Sequence, residues 1–346
     1  MMIDDDDFEP LPPRRPMFRR KRVLLPLGLL VAVLAIFLAL RTSDTDRAAM
    51  IAKYGGPNAA FVAGPAGQRV HYRDQGKRGA PAIILLHGSN SSLHTWEPLV
   101  QRLGSDYRIV TLDLPGHGLT GGTPDKDYGA DGMAAAVDVV AARLGLDHFV
   151  LGGNSMGGWV AWRYALAQPG RVDALLLLDA SGMPLRKGEK APQSNVGFRI
   201  LKYPFGRWLA TQITPRALVE QSLRGSVEKQ AIVDDAMIDR YWELLRFPGN
   251  REATVLRARM DREPAMAAQV SAIKAPTLIL FGDNDRIINP SAAQAFHEKI
   301  PGSEVVLLKD IGHLPMDEDP DATAAAIADF LTRRLFVPPS ADPETR

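Results

Sequence analysis

The sequence predicts an α/β fold: a mostly parallel β-sheet with helices on both faces, an inserted helical cap, and a transmembrane helix ahead of it. Three observations predict it. Short apolar runs of strand length recur between amphipathic helical patterns. The alternation stops between Met183 and about Ala272, where only helical segments rich in Leu, Met, Trp and Phe occur. An uncharged run of eighteen residues, Val23 to Leu40, stands near the N-terminus.

Composition narrows the function classes. The chain has 346 residues, 46% of them hydrophobic, with 41 Lys+Arg against 40 Asp+Glu, so it is neither a disordered nor a collagen-like chain. The near-neutral balance argues against a nucleic-acid partner, since the only dense basic run, Arg14 to Arg22, flanks the apolar segment. With no cysteine there is no disulfide, thiolate nucleophile or Cys-ligated metal. None of the seven histidines sits in a His-Glu-x-x-His pattern, so no metal is expected, and the serine chemistry read below calls for no organic cofactor. Oligomeric state is not legible.

At the N-terminus, residues 1–22 combine the acidic cluster Asp4 to Asp7 with a Pro- and Arg-rich stretch and are expected to be a disordered tail. The run 23–40 would span roughly 27 Å as a helix, close to the hydrocarbon thickness of a bilayer, which makes the bilayer a partner. A cleaved signal peptide is the alternative. Eighteen residues is long for its apolar region, and no Ala-x-Ala site precedes Arg41. Six basic residues (Arg14, Arg15, Arg19, Arg20, Lys21, Arg22) precede the run and three (Arg41, Arg47, Lys53) follow it. That bias predicts a single-pass protein with a cytoplasmic N-terminus and an extracytoplasmic catalytic domain, periplasmic in a Gram-negative cell. Residues 41–57 read as a polar linker.

The remaining elements follow in order. Arg69 to Arg73 alternates as a half-buried strand does, while 82–86, 108–112, 148–151, 174–178, 277–281 and 304–308 are continuous apolar runs, the mark of strands covered on both faces. Between them lie helical patterns over 131–144, 156–167, 291–299 and 321–335, which predicts right-handed crossovers. The expected organisation is a core of 58–182 and 273–335, a helical cap of 183–272 and a disordered tail of 336–346. No internal repeat is present.

The chemistry concentrates at strand ends. The strand His148 to Leu151 runs into Gly152-Gly153-Asn154-Ser155-Met156-Gly157-Gly158 and then a helix. A serine on so sharp a turn adopts a strained backbone that side chains at 153 and 157 would obstruct, and the turn lifts its hydroxyl above the sheet. Ser155 is the expected nucleophile. A hydroxyl needs a base, and the base an orienting carboxylate. His313, in a Gly-His-Leu-Pro loop after the last strand, is the expected base, whereas His117 precedes the serine and reads as structural, and His87 as hydrogen-bonded within its own loop. Gly282-Asp283-Asn284-Asp285 after the strand 277–281 offers two acids that spacing does not separate. Acyl transfer also needs donors to the developing oxyanion, expected from the backbone N–H groups of Ser89 and Met156.

These residues together resemble the α/β-hydrolase superfamily. The matching elements are His87-Gly88, Asp113-Leu114-Pro115-Gly116-His117-Gly118, the Gly-Asn-Ser-Met-Gly-Gly elbow, Gly282-Asp283-Asn284-Asp285 and Gly312-His313, in the order Ser, Asp, His, over about residues 58–335. The resemblance favours Asp285 as the acid, and a serine at 155 excludes the branches that use an aspartate nucleophile. It implies a serine esterase or lipase, close to the meta-cleavage product hydrolase and monoacylglycerol lipase types, cleaving a small carboxylic ester; the anchor at 23–40 and the apolar cap make that ester a lipophilic one. Two rivals remain. Carbon–carbon hydrolases of the meta-cleavage type share the elbow and cap but commonly carry a tryptophan where this chain has Leu314. A catalytically silent binding protein would have no need of Ser155, His313 and the acid together. In the cap, Phe198, Tyr203, Phe205, Trp208, Tyr241, Trp242 and Phe247 either line an acyl pocket or pack as core.

Overall fold

A computed structural model describes residues 17–184, 188–189, 201, 203–260 and 268–336. The termini 1–16 and 337–346, expected to be disordered, lie outside the described residues, as does Phe198. The chain forms two compact units, Met1–Thr42 and Ser43–Arg346.

The first unit holds one helix, α1 (Met17–Leu40), which starts inside the basic run, so residues 17–22 are helical rather than a disordered tail. It contains Pro26, and side chains such as Leu27, Leu30, Val33 and Ile36 are more than half exposed. The transmembrane span expected over 23–40 is not borne out. Among the described residues no helix is long and apolar enough to cross a membrane.

The second unit is built on an eight-stranded sheet: β1 (Ala59–Ala63), β2 (Arg69–Gly76), β3 (Ala82–Leu86), β4 (Arg108–Leu112), β5 (Phe149–Asn154), β6 (Val172–Leu178), β7 (Thr277–Gly282) and β8 (Glu304–Leu308). Their order is β1-β2-β4-β3-β5-β6-β7-β8. The pairs β1–β2 and β2–β4 are antiparallel and all others parallel. The central strands β3, β5 and β7 are buried at every position, as continuous apolar runs require. Successive residues point to opposite faces. On one face Ile84, Leu86, Leu151 and Phe281 pack against α4 (Ala130–Leu144), α5 (Met156–Ala167) and α10 (Ser291–Lys299). On the other, Ile83, Leu85, Val150 and Leu280 meet α3 (Glu97–Leu103) and α12 (Pro320–Leu331).

Among the described residues between β6 and β7 lie four α-helices, α6 (Pro204–Gln212), α7 (Arg216–Ser226), α8 (Asp235–Leu245) and α9 (Asn250–Arg257), and no strand. The stretch expected to be a linker is folded. Asp46 caps α2 (Arg47–Tyr54) by accepting the Ala49 amide at 2.8 Å. The chain just before α2 is bonded to α8 and α9: the Thr45 amide donates to the Arg246 carbonyl at 2.9 Å, and Asp44 pairs with Arg251 at 2.5 Å. Behind it, the Tyr54 hydroxyl and Lys53 both reach Glu243, at 2.6 and 2.7 Å.

Candidate active site

Ser155 sits between β5 and α5 at φ 54° and ψ −115°, a left-handed φ that costs a non-glycine residue energy and persists only where its surroundings enforce it. The surroundings are glycines. A Cβ on Gly153 would overlap the backbone of Gly157, and one on Gly157 would overlap the carbonyl oxygen of Leu86 at the end of β3. The loop after β3 is equally close: a Cβ on Gly88 would lie 2.9 Å from Asn154 Oδ1 and 3.2 Å from Ser155 Cβ. The Ser155 amide donates to the Leu178 carbonyl at 3.0 Å, and its carbonyl accepts the Ser181 amide at 3.0 Å, which ties the elbow to the end of β6.

His313 follows β8, and its ring Nδ1–H donates to Asp285 Oδ2 at 2.7 Å. Asp285 Oδ1 accepts the amides of Ile287 (2.7 Å) and Ile288 (3.0 Å), so the carboxylate is aimed by its own loop. Asp283 is engaged elsewhere, accepting the Asp310 amide at 2.8 Å. The structure thus pairs the histidine with Asp285 and not with Asp283. Ser155, His313, Ser89 and Asn154 all line one cavity of about 470 Å³. Met156 is the first residue of α5, so its amide belongs to the N–H groups that a helix leaves without an intrahelical acceptor.

The two other strand-end histidines brace loops. His87 Nδ1–H donates to the Gly88 carbonyl at 2.8 Å while its Nε2 accepts the Leu114 amide at 3.1 Å, and burial holds its pKa below the ordinary value. His117 Nδ1–H donates to the Pro115 carbonyl at 3.0 Å. Desolvation keeps this imidazole neutral as well.

Three supporting residues escaped the sequence reading. Asn154 donates from its amide to the His313 carbonyl at 3.0 Å. Glu318, at the end of the short helix α11 (Pro315–Glu318), accepts the Gly312 amide at 3.0 Å and the Leu314 amide at 3.3 Å with one oxygen. Its other oxygen accepts the amides of Glu228 and Lys229, at 2.7 and 3.0 Å. One side chain therefore clamps both neighbours of His313 to the segment after α7. Asp179, fully buried at the end of β6, accepts the Gly282 amide at 3.0 Å. A carboxylate at a strand end, as in Leu178-Asp179, was a legible signal. Glu318 carried none, because its partners are backbone groups. Asp179, Asp285 and His313 offer oxygen and nitrogen atoms within 4.8 Å of one another, a spacing that could hold a cation, although His313 Nδ1 is already committed to Asp285.

The cavity wall is mostly apolar, with Leu201, Ile213, Leu218, Val219, Leu223 and Ile288 among its residues. Both arginines on it are paired, Arg251 with Asp44 and Arg286 with Glu228. The cap aromatics divide. Tyr241 lines the cavity, its hydroxyl 2.9 Å from Ser91 Oγ, and Phe247 is core. Trp242 is half-buried and donates to the Thr214 carbonyl at 2.7 Å, whereas Tyr203, Phe205 and Trp208 are exposed.

A strained serine at a strand-to-helix turn, facing a cavity with a histidine–aspartate pair, on this sheet order, is the architecture of the α/β hydrolases. The chain belongs to that family, whose profile, described as the alpha/beta hydrolase fold, matches residues 81–320. It is 31% identical over 284 residues to N-formylmaleamate deformylase of Pseudomonas putida, covering 80% of this chain and 99% of that protein. It is 27% identical over 270 residues to the monoacylglycerol lipase ABHD6 of Bos taurus, covering 75% and 78%. Among solved structures, a membrane phospholipase A described as a bacterial virulence factor superposes with a TM-score of 0.67 at 27% identity, over 90% of this chain and 98% of that one. A meta-cleavage product hydrolase from Pseudomonas fluorescens shares the fold, with a TM-score of 0.66 at 20% identity over 79% and 97%. The protein is a hydrolase of the α/β fold.

Proposed function

We propose that the protein is a membrane-associated serine hydrolase that cleaves lipophilic carboxylic esters. Ser155 Oγ attacks the acyl carbon, and His313 Nε2 takes its proton and returns it to the leaving alcohol. Asp285 holds the imidazole with Nε2 free to act as base, and the amides of Ser89 and Met156 receive the oxyanion. Water then hydrolyses the acyl-enzyme by the same proton path. The observation that carries the reading is the combination of Ser155 at φ 54° with a His313–Asp285 pair at 2.7 Å on one cavity.

The substrate class rests on the cavity wall. Its apolar side chains offer burial worth about 25 cal/mol per Å² of acyl surface, and its two arginines are already neutralised by carboxylates. An acidic substrate, as carbon–carbon hydrolases of the meta-cleavage type would use, would have to displace one of those pairs. The exposed apolar side chains of α1 support retention at a lipid surface, and the likeness to a membrane phospholipase A and to a monoacylglycerol lipase agrees with it.

The test is a p-nitrophenyl ester series of rising chain length on the full-length protein, with a fluorophosphonate probe in parallel. The expected result is covalent labelling at Ser155 alone and rates that rise with acyl length before the cavity is filled. Efficient cleavage of a vinylogous 1,5-diketone with negligible esterase activity would instead favour the carbon–carbon reading. Sedimentation of full-length protein with membranes, and its release by cleavage between α1 and Ser43, tests the association.

A further inference from the structure

We propose that Asp179 is a neutral carboxylic acid whose proton is donated to Asp285, making it a positioning residue for the Asp285–His313 pair. This deepens the triad reading above and rests on it.

Two neighbouring carboxyl groups here have unequal hydrogen-bond partners. Asp179 is completely buried, and its Oδ1 accepts the Gly282 amide at 3.0 Å. Its Oδ2 is buried without any partner that could donate to it. A buried anionic oxygen left unsatisfied carries a desolvation penalty that native structures avoid. The side chain beside it is Asp285, itself fully supplied with donors: two amides on Oδ1 and the His313 ring on Oδ2. Two carboxylates cannot both be ionised at this separation out of water, and one proton between them removes the repulsion and fills the vacant donor role together. The proton belongs on Asp179, because Asp285 already accepts three hydrogen bonds that favour its charged form.

The backbone agrees. Asp179 is held at φ 43°, a conformation that favours glycine, with its amide donating to the Leu280 carbonyl at 2.9 Å, so the chain is constrained to place this carboxyl between β6 and the loop after β7. The ionisable groups beside it are Asp285 and the His313 ring, each offering an atom within 4.8 Å of its own, and at longer range the acidic Glu318 of α11. Burial first, then the charge of Asp285, push its pKa well above the usual carboxylate range, against the pull of the Gly282 amide.

A neutral donor at this point does two things. It adds a third anchor to the acid that orients the base, and it withdraws charge from Asp285, which weakens the hold of the carboxylate on the imidazolium. An ionised Asp179 would do the opposite, adding negative charge beside the base.

Two variants and two readouts decide it. Asp179→Ala removes the donor, so kcat should fall roughly 10- to 100-fold, the worth of one hydrogen bond to a charged group, with KM unchanged because Asp179 does not line the cavity. The acid limb of the kcat/KM profile should move to higher pH, since Asp285 becomes the stronger acceptor. Asp179→Asn keeps both a donor toward Asp285 and an acceptor for Gly282, and should restore most of the lost activity and return the limb. A limb that moves to lower pH in either variant means a negative charge was removed, and overturns the proposal. So does an asparagine variant as inactive as the alanine one.

The second readout needs no catalysis. Folding takes up a proton at Asp179, because the unfolded carboxyl, with its ordinary value of 3.8, has lost it at neutral pH. The parent should therefore lose stability relative to Asp179→Asn as pH rises above about 4, by up to one proton's worth per pH unit, and the two should converge below it. Parallel curves overturn the proposal whatever the enzyme hydrolyses. Should neither variant fold, the parent at neutral pH must still show the infrared C=O band of a protonated carboxylic acid that shifts in D₂O and persists in Asp317→Asn. Asp317, whose carboxyl desolvation pushes up to about 7, also holds a proton in part at that pH, and the Asp317→Asn background removes its contribution. Absence of the band overturns the assignment. Absence of esterase activity or of Ser155 labelling, with the band and the pH–stability difference present, strikes the proposed function instead.

Discussion

The serine side of the cleft and the histidine side are held in place by different physics. Ser155 is positioned by what cannot be there: three glycines, 88, 153 and 157, occupy places where any Cβ would press on the elbow or its neighbours. His313 is positioned by what is there. Asp285, Glu318 and Asn154, from three separate parts of the chain, fix its ring, its flanking amides and its carbonyl through hydrogen bonds. Exclusion gives a rigid local turn written in consecutive residues. Hydrogen bonding across the fold gives a site that responds to charge and to whatever the inserted helices do.

Five substitutions sharpen the contrast. The largest effect is expected from Ser155→Ala, which leaves the turn intact and removes the attacking atom: ester turnover should fall about 10⁶-fold, with thermal stability kept or raised, as single-turnover assays and calorimetry would show. Asp285→Asn should reduce kcat about 10⁴-fold by presenting the wrong hydrogen-bonding pattern to the imidazole, whereas Asp283→Asn should cost less than tenfold. Should the two rank in reverse, the acid lies at 283. Gly157→Ala tests exclusion directly. Its Cβ must displace Leu86, so denaturant titration should show a loss of about 1–3 kcal/mol, and turnover should drop on the order of 10²-fold from misplacement of Ser155.

Glu318→Gln tests the other side more gently. A glutamine has one acceptor oxygen, so it can serve the Gly312 and Leu314 amides or those of Glu228 and Lys229, but not both. A stability loss of about 1–3 kcal/mol and a turnover loss of about tenfold are expected, with fluorophosphonate labelling of Ser155 slowed but present. A variant as stable and active as the parent would show that the clamp on the histidine loop is dispensable.

The same contrast explains what the sequence made legible. Seven strands and the helices α4, α5, α10 and α12 were read to within a few residues, because continuous burial leaves continuous apolar runs, as in 82–86 and 277–281, whereas the short helix α3 was missed. The elbow was read because its glycines are local. The strand β1 was missed: Ala59–Ala63 is partly exposed and does not alternate. The first helix was read too short, because its start lies in charged sequence that a hydropathy argument assigns to a tail. The choice between Asp283 and Asp285 needed the fold, since the loop turns one carboxylate toward His313 and the other toward the Asp310 amide. Glu318 and Asn154 stayed hidden because both bond to backbone, which has no sequence signature.

The stitching of residues 43–54 to α8 and α9 has a mechanical consequence. Where the chain enters the larger unit, its first fixed points are Ser43, Asp44 and Thr45, gripped by Arg246 and Arg251 rather than by the sheet. Arg251 also lines the cavity. A tug on the N-terminal segment is therefore transmitted first to the wall of the cavity and only afterwards to the strands. Protein shortened to begin at Arg47 would sever that load path, and its kinetics would describe a pocket that has lost one of its moorings.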